Sequence, residues 1–128
     1  MDTLINCENV YVTQSNVCDG LGAFARCNFI KDEVIETGVA KVLTNCDGHE
    51  NPLVFTWSDE IPNTTWAMVS GCAMFYNASN TPNTILIRDF VNNTVSIIAA
   101  KPIKAGEELF HTYKSLKWRK CFHEIRDV

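Results

Sequence analysis

The chain has 128 residues, which is the size of one compact domain. With 46% hydrophobic and 20% charged residues it has the composition of a globular protein with a core, which excludes a disordered tail. A net charge of -4 is too acidic for general nucleic-acid binding through phosphate neutralisation. A mildly acidic surface instead favours basic protein partners.

Targeting features are absent from the sequence. Residues 1–6 include an early acid and no positive stretch before an apolar run, unlike a signal peptide. No apolar run approaches the roughly 18 residues that a membrane span needs. We therefore expect a single domain over residues 1–128 that is soluble and intracellular, in the nucleus or cytoplasm, and not secreted.

The intervals between the six cysteines are wide and irregular, and no Cys-x-x-Cys pair occurs. Intracellular thiols stay reduced, and zinc ligands usually come as closely spaced pairs. We predict reduced thiols, mostly buried, and no metal site. The six cysteines are Cys7, Cys18, Cys27, Cys46, Cys72 and Cys121.

The first half of the chain consists of short extended segments separated by turn residues, which predicts a mostly β domain. Gly38 falls inside the third of these segments and is expected to interrupt it. The predicted segments are a strand at 10–13, a turn at 19–22, an apolar segment at 23–25, a strand at 34–42 and a strand at 53–57.

The second half begins with residues 66–76, which are almost wholly apolar around Gly71 and fit either a buried helical turn or a buried strand. Apolar segments at 85–87 and 95–100 flank Asn92-Asn93, a pair typical of a hairpin turn. A tight turn at 104–107 precedes a predicted strand at 109–113. Beyond it, Trp118, Phe122 and Ile125 have the spacing of one helical face.

Three loops could carry chemistry, although each by itself fits a simple turn. Gly20-Leu21-Gly22 does not open a helix in a βαβ unit, so it is not a dinucleotide-binding fingerprint. The histidines are scattered and are predicted to be surface or packing residues. Glu107-Glu108 is predicted to be a solvated turn and not a catalytic pair. Besides Gly20-Leu21-Gly22, the three loops include residues 77–83 and residues 106–108. The three histidines are His49, His111 and His123.

The order and spacing of these loops are more specific than any one of them. Residues 20–25, Gly-Leu-Gly-Ala-Phe-Ala, match a Gly-x-Gly-apolar-Phe-Ala opening. Residues 77–83, Asn-Ala-Ser-Asn-Thr-Pro-Asn, are similar to an Asn-His-Ser-x-x-Pro-Asn signature. Residues 99–113 are similar to an apolar strand, an Ile-x-x-Gly-Glu-Glu-Leu turn and a terminal tyrosine. Over about residues 8–119 the chain resembles the SET domain family, most of all the short stand-alone members of viruses and bacteria.

The resemblance implies a mostly β, β-clip-like fold of small sheets with a C-terminal pseudoknot near Asn77 and a short C-terminal helix. It also implies a protein-lysine N-methyltransferase that uses S-adenosylmethionine. The partner would be a protein carrying a target lysine, such as a histone tail, with no metal, nucleic acid or membrane involved. Small members of the family can be homodimers, and the sequence leaves that question open.

Site residues are carried over by position. The backbone of Gly20-Leu21-Gly22 would cradle the methionine end of the cofactor, Asn77 would hydrogen-bond that end, and the backbone of Ala78 would meet the adenine. Tyr113 matches the catalytic tyrosine at the lysine channel, where it would also hold the methyl donor. Trp118 matches an aromatic residue that packs on the adenine, or else forms the apolar face of the last helix.

Four departures distinguish the chain from the family pattern. Ala78 stands where the family has histidine, and Asp32 and Lys114 stand where glycine is common. Residues 53–57 lack a second channel tyrosine. These departures leave two alternatives open: a catalytically inactive SET-like protein-interaction module, and an unrelated β-clip binding domain.

Overall fold

The computed structural model describes residues 4–44, 54–58 and 65–111. Over these residues the chain forms β-strands and one short 3₁₀ turn, which confirms the mostly β prediction. None of the helical structure in these ranges is long and apolar enough to cross a membrane. The strands are β1 Val10–Gln14, β2 Leu21–Ala25, β3 Val34–Leu43, β4 Phe55–Thr56, β5 Trp66–Val69, β6 Asn77–Ala78, β7 Thr84–Asp89, β8 Thr94–Ala99 and β9 Glu108–His111, and the 3₁₀ turn is Ala73–Phe75.

The strands form two small sheets. One has the order β1-β2-β9-β6 and the other the order β4-β5-β3-β8-β7. The β6–β9 pair is parallel, with Asn77 opposite Phe110 and Ala78 opposite His111, whereas the other strand pairs are antiparallel. This parallel pair joins a strand from the middle of the sequence to one near its end, and so places the Asn77 loop beside the turn before β9.

The core contains residues of both sheets. In β8 the buried residues Val95, Ile97 and Ala99 alternate with more exposed ones, which is the period of two that a half-buried strand requires. Residues of the first sheet, including Ala25 and Leu109, belong to the same buried cluster. The two sheets therefore share one hydrophobic core.

Two sequence-based boundaries were wrong. Gly38 does not interrupt β3, which continues through it. A glycine is needed there because the backbone of Ser70 packs closely against it: a Cβ at this position would lie 2.7 Å from the carbonyl oxygen of Ser70. The second strand begins at Leu21, within the turn that the sequence predicted. The ambiguous segment 66–76 contains both alternatives, since β5 is followed by the 3₁₀ turn.

The turns explain one departure from the family pattern. Asp32 adopts φ 73°, in the left-handed region that favours glycine and that aspartate tolerates better than most residues. The predicted hairpin is present with a loop of residues 90–93, in which Asn93 has φ 52° and Asp89 Oδ1 accepts from the backbone N–H of Asn92. Leu53, the segment predicted to form the pseudoknot and the predicted C-terminal helix lie outside the described residues.

Candidate functional site

Asn83, the last residue of the Asn77 loop, fixes this loop against β9. Its Nδ2 donates to the carbonyl oxygen of Glu108 at 2.9 Å, and its Oδ1 accepts from Phe110 N at 2.7 Å. At the other end of the loop, the backbone N–H of Ser79 donates to the carbonyl oxygen of His111 at 2.9 Å. The loop is therefore held by backbone and amide groups at both ends.

The Asn77 side chain joins the three loops that the sequence singled out. Its Nδ2 donates to the carbonyl oxygen of Leu21 at 3.1 Å and to Glu108 Oε2 at 2.9 Å, with Ser15 Oγ farther away at 3.4 Å. The structure thus brings together Asn77, the Gly20-Leu21-Gly22 segment and the turn before β9. These segments are far apart in the sequence.

Glu108 corrects a sequence-based expectation, because this residue is buried and is not part of a solvated turn. Both of its carboxylate oxygens accept from Ser15 Oγ, at 2.8 and 3.0 Å, and Oε1 also accepts from Asn16 N at 2.9 Å. With Asn77 these groups form what we call the Glu108 cluster: Glu108, Ser15, Asn16 and Asn77. A buried carboxylate requires such donors, since burial of an unpaired charge is costly.

The two glycines of the Gly-x-Gly segment have different surroundings. A Cβ at Gly22 would lie 2.5 Å from Glu108 Oε2 and 3.2 Å from Asn77 Nδ2. The Glu108 cluster therefore packs directly against the backbone of Gly22. Among the described residues, a Cβ at Gly20 would meet only Cys18 Sγ, at 3.8 Å. Gly22 is therefore required by packing, whereas Gly20 leaves its backbone open to approach.

A groove of about 590 Å³ adjoins the Glu108 cluster. Its volume is within the roughly 300–1,000 Å³ of small-molecule and cofactor sites. Its lining combines apolar and polar side chains, which fits a nucleoside-sized ligand. Of the predicted cofactor residues that the structure describes, only Ala78 lines the groove, and Glu108 links the groove to Asn77. The other lining residues include Asn16, Val17, Ser79, Lys101 and Phe110.

A second buried carboxylate anchors the segment that precedes Asn77. Glu36 Oε2 accepts from the Tyr76 hydroxyl at 2.6 Å, and Glu36 Oε1 accepts from Cys72 N at 2.9 Å. Burial raises the pKa of Glu36 despite these hydrogen bonds, and burial also raises the pKa of Cys72 to about 11. The bonds attach the 3₁₀ turn to β3 and so fix the point where the Asn77 loop begins.

His111 is a packing residue, in line with its sequence interpretation. Its ring lies 5.6 Å from the Tyr76 ring and 6.2 Å from the Phe55 ring, measured between centroids. Because burial disfavours the charged imidazolium, the pKa of His111 is lowered from 6.5 to about 4. The residue is therefore neutral at physiological pH.

The predicted catalytic residue Tyr113 and the predicted adenine contact Trp118 lie outside the described residues, as do Lys114, Cys46 and Cys121. The other four cysteines are free thiols, but the prediction that the cysteines are mostly buried is wrong for them, since Cys18 and Cys27 are exposed and Cys7 and Cys72 are only partly buried. In the part of the chain that the structure describes, no three potential ligands are grouped around a metal position. Sequence reasoning missed Ser15, Asn16 and Glu108, for which only the Gly-Glu-Glu-Leu turn offered any signal.

The model of the SET domain family matches residues 20–114, which include the glycine pair, the Asn77 loop and Glu108. The chain belongs to the SET domain family. The match begins at Gly20 and ends one residue after Tyr113, so it contains every predicted site residue except Trp118. No curated protein matches the chain significantly.

Solved structures share this SET fold. A candidate histone methyltransferase of Plasmodium falciparum aligns with a TM-score of 0.65 and 21% identity, over 82% of this chain and 96% of that one. A humanized mutant of Chaetomium thermophilum Polycomb Repressive Complex 2 bound to the inhibitor GSK126 aligns with a TM-score of 0.70 and 21% identity. That match covers 86% of this chain but 15% of the other. The likeness to short viral and bacterial members stays a prediction.

Proposed function

We propose that this SET domain is a protein-lysine N-methyltransferase that uses S-adenosylmethionine, with a basic protein segment such as a histone tail as substrate. The observation that carries the proposal is the meeting of the Gly20-Leu21-Gly22 segment, Asn77 and Glu108 next to a groove of cofactor size. Family membership over residues 20–114 supports the same activity. The net charge of -4 favours a basic substrate.

The residues present fit the methionine and nucleoside ends of the cofactor. The methionine end carries an ammonium, a carboxylate and the sulfonium, and the Glu108 cluster supplies a carboxylate and an amide oxygen that suit the two positive groups. The open backbone at Gly20 permits close approach of a ligand. Ala78 and Phe110, in the groove lining, would hold the nucleoside. When bound, S-adenosylmethionine supplies an electrophilic methyl group.

The protein must present a neutral lysine in line with that methyl group. Free lysine has a pKa of roughly 10.4, so only a very small fraction is neutral at pH 7. An apolar, water-poor channel lowers this pKa because desolvation disfavours the ammonium form. Alignment of the reacting atoms supplies several kcal/mol more. In this proposal the Tyr113 hydroxyl orients the amine and does not need to act as a strong base.

Calorimetric titration with S-adenosylmethionine and S-adenosylhomocysteine tests the cofactor. The unmutated protein should bind both, and Asn77→Ala should lose about 1.5–3 kcal/mol of binding free energy, the range for a hydrogen bond to a charged group. Asn92→Ala, in the exposed hairpin loop, is the matched control and should bind normally. If the unmutated protein does not bind at millimolar cofactor, the proposal is wrong.

Incubation with labelled cofactor, mixed histones and cell lysate then tests the reaction. Label on a lysine of one acceptor protein supports the methyltransferase. Binding of the cofactor without label on any acceptor would instead favour the catalytically inactive interaction module. No binding at all would indicate that this SET domain has a binding function that does not involve the cofactor.

A further inference from the structure

Two cysteines that are far apart in the sequence, Cys7 and Cys72, are held beside neighbouring residues of β3. Asn6, the residue before Cys7, exchanges two backbone hydrogen bonds with Thr37, at 3.0 and 2.8 Å. The backbone N–H of Cys72 donates to Oε1 of Glu36, the residue before Thr37, at 2.9 Å. The fold therefore brings the N-terminal segment and the start of the 3₁₀ turn to the same part of β3.

The Cys7 and Cys72 side chains interact with each other. Gly71 permits this approach, since it adopts φ 86° and a Cβ there would lie 2.6 Å from Glu36 Oε1 and 4.0 Å from Cys7 Cβ. Burial, the Glu36 carboxylate and the Cys7 thiol raise the pKa of Cys72 to about 11, and the contribution of Cys7 includes a hydrogen bond between the two side chains. Both thiols are free and only partly buried, so a small oxidant can reach them.

We propose that Cys7 and Cys72 form a reversible oxidation site, at which hydrogen peroxide converts the two thiols to an intramolecular disulfide. The site shares no residue with the Glu108 cluster and goes beyond the proposed function, so it stands or falls independently. In a reducing compartment the pair stays as thiols. The disulfide forms when peroxide is present and is removed by exchange with another dithiol.

The oxidation takes two steps. A thiolate sulfur first attacks the O–O bond of hydrogen peroxide, and after proton transfer the products are a sulfenic acid and water. We assign this step to Cys7, because the thiolate is the reactive form and Cys72, with a pKa of about 11, is almost wholly protonated at neutral pH. The Cys72 sulfur then attacks the sulfenic sulfur, forms the S–S bond and releases a second water. Two thiols thus lose two electrons and two protons, and one peroxide becomes two waters.

The disulfide would join the N-terminal segment to the residue that precedes the 3₁₀ turn. It closes the chain between Cys7 and Cys72, which contains β1 to β5, and therefore restricts the unfolded chain. Because the two side chains already interact, the folded protein needs little rearrangement to form the bond. The oxidised protein should consequently resist urea better than the reduced protein.

Peptide mapping tests the pairing. The full chain is reduced, freed of reductant, treated with hydrogen peroxide, blocked with N-ethylmaleimide and cut by a protease specific for glutamate. This cleavage leaves Cys7 as the single cysteine of residues 1–8 and Cys72 as the single cysteine of residues 61–107. The expected product is these two peptides joined by a disulfide that dithiothreitol reverses, from protein of monomer mass.

Variants and denaturant show whether the fold directs the pairing. Cys72→Ser should abolish the joined peptide, whereas Cys18→Ser, the same change at an exposed cysteine, should leave its yield nearly unchanged. Oxidation in urea, where the fold no longer holds the thiols together, should give about tenfold less of it or lower still. An equal yield in urea, a main disulfide to any other cysteine or between two molecules, or sulfinic acid at Cys7 without the joined peptide overturns the inference.

Urea unfolding measures the effect of the bond on the folded protein. Peroxide should raise the urea midpoint of the unmutated protein, and dithiothreitol should return it to the starting value, which separates the disulfide from irreversible oxidation of methionine. Peroxide should not raise the midpoint of Cys7→Ser or Cys72→Ser, and the untreated variants report whether each still folds. If the joined peptide forms but the midpoint is unchanged or falls, the bond strains the folded protein, and a site prearranged for oxidation is overturned.

Discussion

Replacing each glycine of the Gly-x-Gly segment by alanine should have opposite consequences. At Gly22 the new Cβ would lie 2.5 Å from Glu108 Oε2 and 3.0 Å from Glu108 Cδ, well inside van der Waals contact. The carboxylate cannot move freely, because it is buried and is held by Ser15, Asn16 and Asn77. At Gly20 the nearest atom would be Cys18 Sγ at 3.8 Å, an ordinary contact.

The magnitude follows from the bonds that a displaced carboxylate would lose. Glu108 Oε2 accepts from Ser15 Oγ and Asn77 Nδ2, and a hydrogen bond to a charged group contributes about 1.5–3 kcal/mol. Alanine offsets about 0.4–1 kcal/mol of this loss by restricting the unfolded chain. We therefore expect Gly22→Ala to lower the free energy of unfolding by about 2–5 kcal/mol, and Gly20→Ala to leave it unchanged or slightly raised.

Urea unfolding followed by tryptophan fluorescence measures both variants. A double-mutant cycle identifies the cause: in a Glu108→Ala background the clash is gone, so Gly22→Ala should cost almost nothing further. Equal destabilisation by the two glycine substitutions would refute the reasoning. So would a Gly22→Ala cost that persists in full without the carboxylate.

Three further predictions concern single side chains. Tyr113→Phe should reduce turnover on an accepted protein substrate about 100-fold, equivalent to about 3 kcal/mol, with unchanged cofactor affinity and melting temperature; turnover within threefold would contradict its proposed role. Tyr76→Phe removes a donor from the buried Glu36 carboxylate, so urea unfolding should show a loss of about 1.5–3 kcal/mol that the control Tyr11→Phe does not share. Because the pKa of His111 is about 4 in the folded protein and near 6.5 in the unfolded chain, the unfolded chain takes up the proton first, and up to about 3 kcal/mol of stability is lost as pH falls from 6.5 to 4. The stability of His111→Phe should not show this loss between pH 6.5 and pH 4. The raised pKa of Glu36 changes stability in the opposite direction above pH 4.5, but it does so equally in both proteins. Identical profiles of stability against pH in the two proteins would therefore contradict the assignment.

Local patterns were enough to predict much of the fold. The apolar segment at 95–100 predicted β8, and the asparagine pair predicted the hairpin before it. The same rules misjudged Gly38, because the reason for that glycine is Ser70, a residue on another segment. Period and turn chemistry report on neighbours in sequence, whereas a close approach between strands depends on residues that the folded chain brings together.

Glu107 and Glu108 show the same limit within the candidate site. They are adjacent and identical in type, yet Glu107 is exposed and Glu108 is buried. Burial of Glu108 depends on Ser15 and Asn16, which precede it by 93 and 92 residues, and on Asn77, which precedes it by 31. No local pattern distinguishes a glutamate with such donors from a solvated one. The family resemblance located Asn77, but the partners that orient it became apparent only in the structure.

The alanine at position 78 is consistent with the packing around it. Ala78 pairs with His111 in the parallel β6–β9 ladder, and residues paired across a ladder project to the same side of the sheet. His111, the ladder partner of Ala78, is buried beside Tyr76 and is fixed there by packing. The backbone bond from Ser79 N to the carbonyl oxygen of His111 is kept, and the position still lines the groove. The departure from the family's histidine therefore leaves the backbone geometry intact and is not by itself an argument for an inactive domain.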